Sequence, residues 1–270
     1  MTCTLTTTEI DAAVAALDTA ETTRSQTGLL SLQYPGMTMD DAYAVQSAWV
    51  ARKKAAGRRV IGWKIGLTSK AMQAALGIDI PDSGVLLDDM WFEDGQVVPE
   101  DRFIQPRIEA EIAFVLNAPL RGPGVTVFDV LAATDYVTPA LEILDTRIFR
   151  ADPETKRPRT ILDTIADNAA NAGIVTAGRR IAPDATDLRW MGAILSRNAE
   201  VEETGLGAGV LSHPARGIAW LANRLGDYGE GLSAGEIVLA GSFVRPVEAR
   251  HGDTITADYG PWGSISLHFA

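Results

Sequence analysis

Apolar positions follow one rhythm at the start of the chain and another after it. Thr6 and Glu9 have the spacing of a capping box ahead of the apolar-rich run 10–17, which predicts a helix. A second helix is predicted to start near Thr38, to carry Tyr43, Val45 and Trp49, and to end at Gly57, with Arg52, Lys53 and Lys54 in its last turn, where cations complement the dipole. From residue 58 the pattern changes. Residues 60–67 read as a strand that carries a lysine. Thr68 then caps a short predicted helix, 69–76, which Gly77 ends, and Pro81-Asp82-Ser83-Gly84 reads as a turn. Short strands follow through Phe92 and Val97. Residues 108–116 alternate as a strand, Thr126 caps a helix over 127–133, and 136–144 form another strand. Residues 150–160 read as a surface loop and 164–173 as a short helix. His213-Pro214-Ala215 opens an amphipathic helix that ends near Leu225, and strands follow over 236–240, 245–250, 254–259 and 264–269. There is no internal repeat. The expectation is an α+β protein: a helical region over 1–57, then one mixed, mainly β unit over 58–270, without the regular βαβ alternation of a doubly wound sheet.

Composition narrows the setting. The chain has 270 residues, of which 46% are hydrophobic and 22% charged, enough to bury a sizeable core. A net charge of −11 repels a polyanion, and the short basic runs Arg52-Lys53-Lys54 and Arg58-Arg59 do not reverse that field, so nucleic acid is excluded as a partner. Cys3 is the single cysteine, so no intrachain disulfide is expected. Residues 1–8 show neither a basic nor an apolar leader segment, and no apolar run approaches the roughly 18 residues of a membrane span. The expected location is the cytoplasm.

Three glutamates stand where burial is expected. Glu109 and Glu111 lie in Arg107-Ile108-Glu109-Ala110-Glu111-Ile112-Ala113-Phe114, and Glu142 lies in Leu141-Glu142-Ile143-Leu144. A buried carboxylate is costly without a counter-charge or a metal. On a strand, residues two apart share a face, so Glu109 and Glu111 pair there while Ile108, Ala110, Ile112 and Phe114 take the other side. The competing reading is the solvated face of an amphipathic strand. Converging carboxylates would suit Mg²⁺, Mn²⁺ or Ca²⁺ rather than Zn²⁺. Lys64, between Gly62 and Gly66, is either a strand lysine reaching for solvent or a cation that meets an anionic substrate. Gly241-Ser242 after the apolar run 237–240 is either a turn or a donor pair for a carboxylate. Asp163, Asp167, Asn168 and Asn171 are read as helix caps. His213, His251 and His268 lack metal-ligand spacing, and no nucleotide or nucleophile-elbow motif is present.

Taken in order, the segments 62–70, 77–82, 106–114, 139–145 and 166–171 resemble the hydratase/decarboxylase branch of the fumarylacetoacetate hydrolase superfamily, with the resemblance running from about residue 10 to the C-terminus. Within the branch the chain is most similar to members that act on a seven-carbon 2-oxo diacid. The resemblance implies a mixed β-roll core with an N-terminal helical region and a Mg²⁺ or Mn²⁺ ion on Glu109, Glu111 and Glu142. It implies an active-site Lys64, a catalytic Asp82, a substrate-binding Ser242, and a homo-oligomer, in some members a decamer. The implied reaction is metal-dependent hydration of a 2-hydroxydienoate or 2-oxoenoate. The rivals are hydration of a five-carbon monoacid, decarboxylation of a related dienol, C–C hydrolysis, which the lack of a histidine before residue 210 disfavours, and a non-catalytic metal-binding partner subunit.

Overall fold

The computed structural model describes residues 3–70, 73, 74, 78, 80–176 and 179–270. Helix α1 (Thr7–Thr23) starts on the Thr6–Glu9 capping box. A short helix α2 (Leu30–Gln33) follows, and α3 (Met39–Ala55) starts on Thr38, whose box partner is Asp41. Ala13, Val14 and Leu17 of α1 pack with Ala42, Val45 and Trp49 of α3, and this cluster also takes in Val85, Leu87, Ile148 and Ile165. The helical layer is therefore seated on the β core through a shared apolar seam. Gln46, buried within that seam, donates to the carbonyls of Ser83 (2.8 Å) and Ile165 (2.9 Å). Of the short helix expected over 69–76 and its Gly77 stop, Ala71, Met72, Ala75, Leu76 and Gly77 lie outside the described residues.

The strands in chain order are β1 (Val60–Gly66), β2 (Asp82–Leu87), β3 (Trp91–Phe92), β4 (Val97–Val98), β5 (Arg107–Leu116), β6 (Thr134–Leu144), β7 (Asn171–Thr176), β8 (Gly192–Arg197), β9 (Glu200–Leu206), β10 (Ile237–Leu239), β11 (Val247–Glu248), β12 (Thr254–Asp258) and β13 (Ser264–Phe269). Helices α4 (Val127–Ala132), α5 (Ile161–Ala166) and α6 (Ala215–Gly226) lie between them. One mixed sheet runs β2-β1-β10-β5-β6-β7-β3, with β11 on β5, and a second runs β4-β13-β12-β8-β9. In the first sheet β1 and β6 are separated by β10 and β5, three inter-strand steps or about 14 Å in a flat sheet. Yet Lys64 Nζ on β1 lies 3.2 Å from Glu142 Oε1 on β6. The sheet therefore curls into a partial barrel, with these side chains inside the curl.

Alternation along β5 assigns the two faces. Ile108, Ala110, Ile112 and Phe114 enter the main core with residues of α6 and the second sheet, among them Ile218, Leu221, Leu195, Ile255 and Leu267. Ala113, on the face of Glu109 and Glu111, joins Leu86, Ala140, Ile174 and Leu239 in a separate apolar cluster that fills one part of the curl. The carboxylates lie beside this plug.

Two local expectations are corrected. Residues 81–84 do not make a free turn, because Asp82, Ser83 and Gly84 begin β2 and pair with Gly66, Ile65 and Lys64. Burial of this whole strand against β1 overrides the turn chemistry of the tetrapeptide. The helix expected over 164–173 ends at Ala166. Asn168, Ala169 and Ala170 then all take left-handed backbone (φ 51, 51 and 58°), and β7 begins at Asn171. The β8–β9 hairpin, turned by Asn198 and Ala199 (φ 54 and 68°), was not anticipated, because Asn-Ala lacks the glycine that usually marks such a turn.

Candidate metal centre and substrate cavity

The β5–β6 register sets Glu109 directly opposite Glu142, and Glu111 opposite Ala140. Like charges facing each other across two strands repel, so the pair is tolerable only with compensation. One carboxylate oxygen from each of Glu109, Glu111 and Glu142 lies within 4.8 Å of the others. Glu111 and Glu142 are fully buried, while Glu109 is partly exposed. The outer oxygens are fixed by the chain. Gly241 N–H donates to Glu111 Oε2 (2.8 Å), and Asn171 Nδ2 donates to Glu142 Oε1 (2.8 Å). Gly241 has φ +112°, and a Cβ there would fall 2.2 Å from Thr68 Oγ1, so only glycine brings this N–H to the glutamate. Buried Tyr259 fixes the strand itself, accepting from the Glu111 N–H (3.1 Å) and donating to the Ala140 carbonyl (2.6 Å).

Glu111 Oε1 and Glu142 Oε2 are buried and have no protein partner. Burial first, and then the facing Glu142, push Glu109 up to about 8, and the same causes together with Glu109 hold Glu111 well above the usual carboxylate range. Three converging carboxylates with two unpartnered oxygens fit a hard divalent cation, whose charge would remove the repulsion that raises them.

Lys64 is the one cation in contact with this cluster among the described residues. Its Nζ pairs with Glu142 Oε1 and donates to the Ala169 carbonyl (3.0 Å). Burial works against the charged amine, but Glu142, Asp82, Glu109 and Glu111 together raise its pKa above the ordinary value, so it is an ammonium at neutral pH. Asp82 is buried beside it. A Cβ on Gly66 would fall 2.2 Å from Asp82 Oδ1 and 3.1 Å from Lys64 Nζ, so this glycine leaves the room in which the two side chains approach. Asp82 Oδ1 has no hydrogen-bond partner, and burial pushes its carboxyl above the usual range despite the opposing charge of Lys64.

Lys64, Asp82, Glu109 and Ser242 line one cavity of about 930 Å³. The Ser242 hydroxyl lies within reach of the Ala110 (3.2 Å) and Val244 (2.9 Å) carbonyls and accepts from the Val244 N–H, which shapes the turn after β10. The polar cluster read as helix caps has further work. Asp163 does cap α5, with Thr160, and also binds Ser31. Asp167 pairs with buried Arg147, Asn168 brackets the N–H and carbonyl of Val85, and Asn171 holds Glu142. Their density in an apolar stretch was the signal. The partners, distant in sequence, could not be read from it.

No protein-family model matches the chain. A 2-oxo-hept-4-ene-1,7-dioate hydratase of Escherichia coli is 60% identical over 253 residues, covering 94% of this chain and 95% of that one. A 4-oxalocrotonate decarboxylase of Pseudomonas sp. (strain CF600) is 42% identical over 238 residues, 87% of each chain. Among solved structures, 4-oxalocrotonate decarboxylase from Pseudomonas putida G7, complexed with magnesium and adipate, superposes with a TM-score of 0.93 over the whole of both chains at 39% identity.

Proposed function

We infer that this chain, which belongs to the hydratase/decarboxylase branch of the fumarylacetoacetate hydrolase superfamily, is a Mg²⁺-dependent hydro-lyase that converts 2-oxohept-4-ene-1,7-dioate to 4-hydroxy-2-oxoheptanedioate. The observation that carries this reading is the convergence of three carboxylates at the edge of a cavity that Glu109 lines together with the Lys64 ammonium and Asp82. Glu109, Glu111 and Glu142 would hold the cation, with Mg²⁺ as the resident ion and Mn²⁺ as a substitute. Bound there, the ion supplies Lewis acidity toward the oxygens of a 2-oxo acid.

The chain's own groups do the rest. An ammonium has three donors. Lys64 commits two of them to Glu142 and Ala169, and the third is left for an anionic oxygen of the substrate. Asp82, raised by burial above the usual carboxyl range and lining the cavity, is the group placed to move a proton. It takes the proton from C3 and returns one to C5, which moves the double bond into conjugation with the 2-oxo group. Water then adds its oxygen at C4 and releases a proton, and C3 is reprotonated. The net change is hydroxyl at C4 and hydrogen at C5. The turn at Ser242 borders the same space and offers a hydroxyl to a substrate carboxylate.

The decarboxylase reading shares every one of these groups, and the 42% identical relative carries that activity in its name. Mass spectrometry separates the two. Purified protein with Mg²⁺ is given the seven-carbon diacid, the five-carbon 2-hydroxypenta-2,4-dienoate and oxalocrotonate. Gain of water by the diacid, abolished by EDTA, is the expected result. Loss of CO₂ from oxalocrotonate with no hydration would move the chain to the decarboxylase reading, and no reaction at all would leave a metal-binding partner subunit.

At a coarser level, no helix among the described residues is long and apolar enough to cross a membrane. The reading extends to a cytoplasmic homo-oligomer, decameric in the fullest version, with residues 1–57 as a helical cover on a catalytic unit over 58–270. Light scattering coupled to gel filtration tests the assembly.

A further inference from the structure

The cavity that Asp82 and Glu109 border at one place is cationic at another. Arg107, Arg150, Arg157, Arg159 and Arg245 all border it. Two of these are exposed, Arg157 and Arg245, and Arg245 is already paired with Glu203 (2.6 Å). The other three, Arg107, Arg150 and Arg159, are partly buried. None of these three has a carboxylate within ion-pair distance among the described residues.

Their placement follows from the chain. Arg107 is two residues before Glu109 on β5, so it shares that face one pleat repeat away, about 7 Å along the strand. Arg150 and Arg159 stand beside each other at the neck of the loop after β6. The Arg159 N–H donates to the Arg150 carbonyl (3.0 Å), and Ala151 bridges to Pro158 just beyond. Like charges held side by side repel, and an anion between them would relieve that repulsion. Asp82 acts on Arg159 through space but lies beyond ion-pair distance, and four other nearby carboxylates are committed elsewhere. Asp145 accepts from the N–H groups of Ile104 and Gln105, Asp163 binds Thr160 and Ser31, Asp167 pairs with Arg147, and Glu248 pairs with Arg250. Arg159 Nη1 is buried with no acceptor. Burial, together with Arg107 and Arg159, lowers Arg150 to about 10, the direction expected of cations that lack a counter-ion.

We propose that Arg107, Arg150 and Arg159 form a carboxylate subsite that holds the far end of a dicarboxylate whose 2-oxo acid end lies at Glu109, Glu111 and Glu142. The identity of the acid rests on the hydratase reading above. The subsite itself rests on the unmatched cations. Arginine suits this task because its planar fork meets both oxygens of a carboxylate. The subsite makes the enzyme select a diacid over a monoacid with the same head.

Calorimetry with the Mg²⁺-loaded protein tests this without turnover. The ligands are 2-oxoheptanedioate and 2-oxoheptanoate, which share the 2-oxo acid head and have no alkene to hydrate. The diacid is expected to bind about ten- to a hundredfold more tightly to the wild type. Arg159→Met and Arg150→Met should each remove most of that preference, with monoacid affinity held within about twofold. Should Arg159→Met fail to fold, Arg150→Met, on the same loop neck, carries the comparison. Equal affinity of the two ligands for the wild type, a preference retained in the variants, or a parallel loss of both ligands overturns the subsite. A wild type that prefers the diacid but adds water to no dienoate would sink the hydratase reading and leave the subsite standing. Hydration without any diacid preference would do the reverse.

Discussion

Lys64 holds its place through one side-chain and one main-chain contact, Glu142 and the Ala169 carbonyl. Methionine in its place keeps much of the bulk and removes the charge. Lys64→Met is expected to lower kcat by about 10²- to 10³-fold, the size of effect seen when a positioned donor or acid is removed. Mn²⁺ affinity, read by electron paramagnetic resonance, should stay near wild type, since Lys64 is not among the three carboxylates that converge. Unchanged turnover would take Lys64 out of the mechanism. At this scale much of the site was legible. Carboxylates two apart in an alternating apolar strand, and a third inside an apolar run, announce themselves because burial makes them costly. The sequence does not rank the arginines that could meet a distal carboxylate. Arg107, Arg147 and Arg189 look equivalent in the sequence, yet Arg147 is buried on Trp49 and spent on Asp167, and Arg189 is spent on Asp187 in its own loop.

Elements set by local chemistry were legible, and those set by distant partners were not. The capping pairs at Thr6, Thr38 and Thr126 start helices as expected. The left-handed run Asn168–Ala170 has no local signature. It persists because Asn168 brackets Val85 from across the curl, so tertiary bonds outweigh the cost of the backbone. Asp41 shows how one element is tied down. Its carboxylate accepts from the N–H groups of Thr4, Leu5 and Thr38 and from the hydroxyls of Thr4 and Thr38. Burial opposes ionisation, but these donors hold the group well below the usual carboxylate range. A carboxyl whose pKa is depressed by folding contributes stability that is complete above its unfolded value of about 4 and is lost as pH falls below it. Asp41→Asn should therefore cost about 2 kcal/mol at pH 7, with the gap to wild type narrowing on acidification. Urea melts of both proteins at pH 7 and pH 3 read this directly, and a gap that stays constant would separate Asp41 from the pH response.

Across the whole molecule, the curl of the first sheet gathers Lys64 of β1, Asp82 of β2, Glu109 and Glu111 of β5 and Glu142 of β6, so that carboxylates outnumber the ammonium around the three glutamates. Cation binding should then stabilise the fold as a unit. At a free Mg²⁺ concentration a hundred times its Kd, the linkage amounts to about 2.7 kcal/mol. For a chain of this size that is about 5–10 °C in Tm. Scanning calorimetry with Mg²⁺ and with EDTA checks the shift, and Glu142→Gln should abolish most of it. A full shift in that variant would mean the ion binds elsewhere. The curl itself was beyond the reach of local patterning, because nothing in β1 or β6 alone says that they meet. One contact inside it bears on how this protein can be dissected. The Ala169 carbonyl that orients the Lys64 ammonium belongs to the main chain. A library that swaps every side chain in turn deletes Lys64 but never deletes its acceptor, so any intolerance mapped at buried, left-handed position 169 would report packing and backbone strain and not this bond. Random drift meets the same limit. It can retune this contact only by bending the backbone, and the variants that report on it are those at Asn168, whose side chain anchors the turn, one step removed from the chemistry.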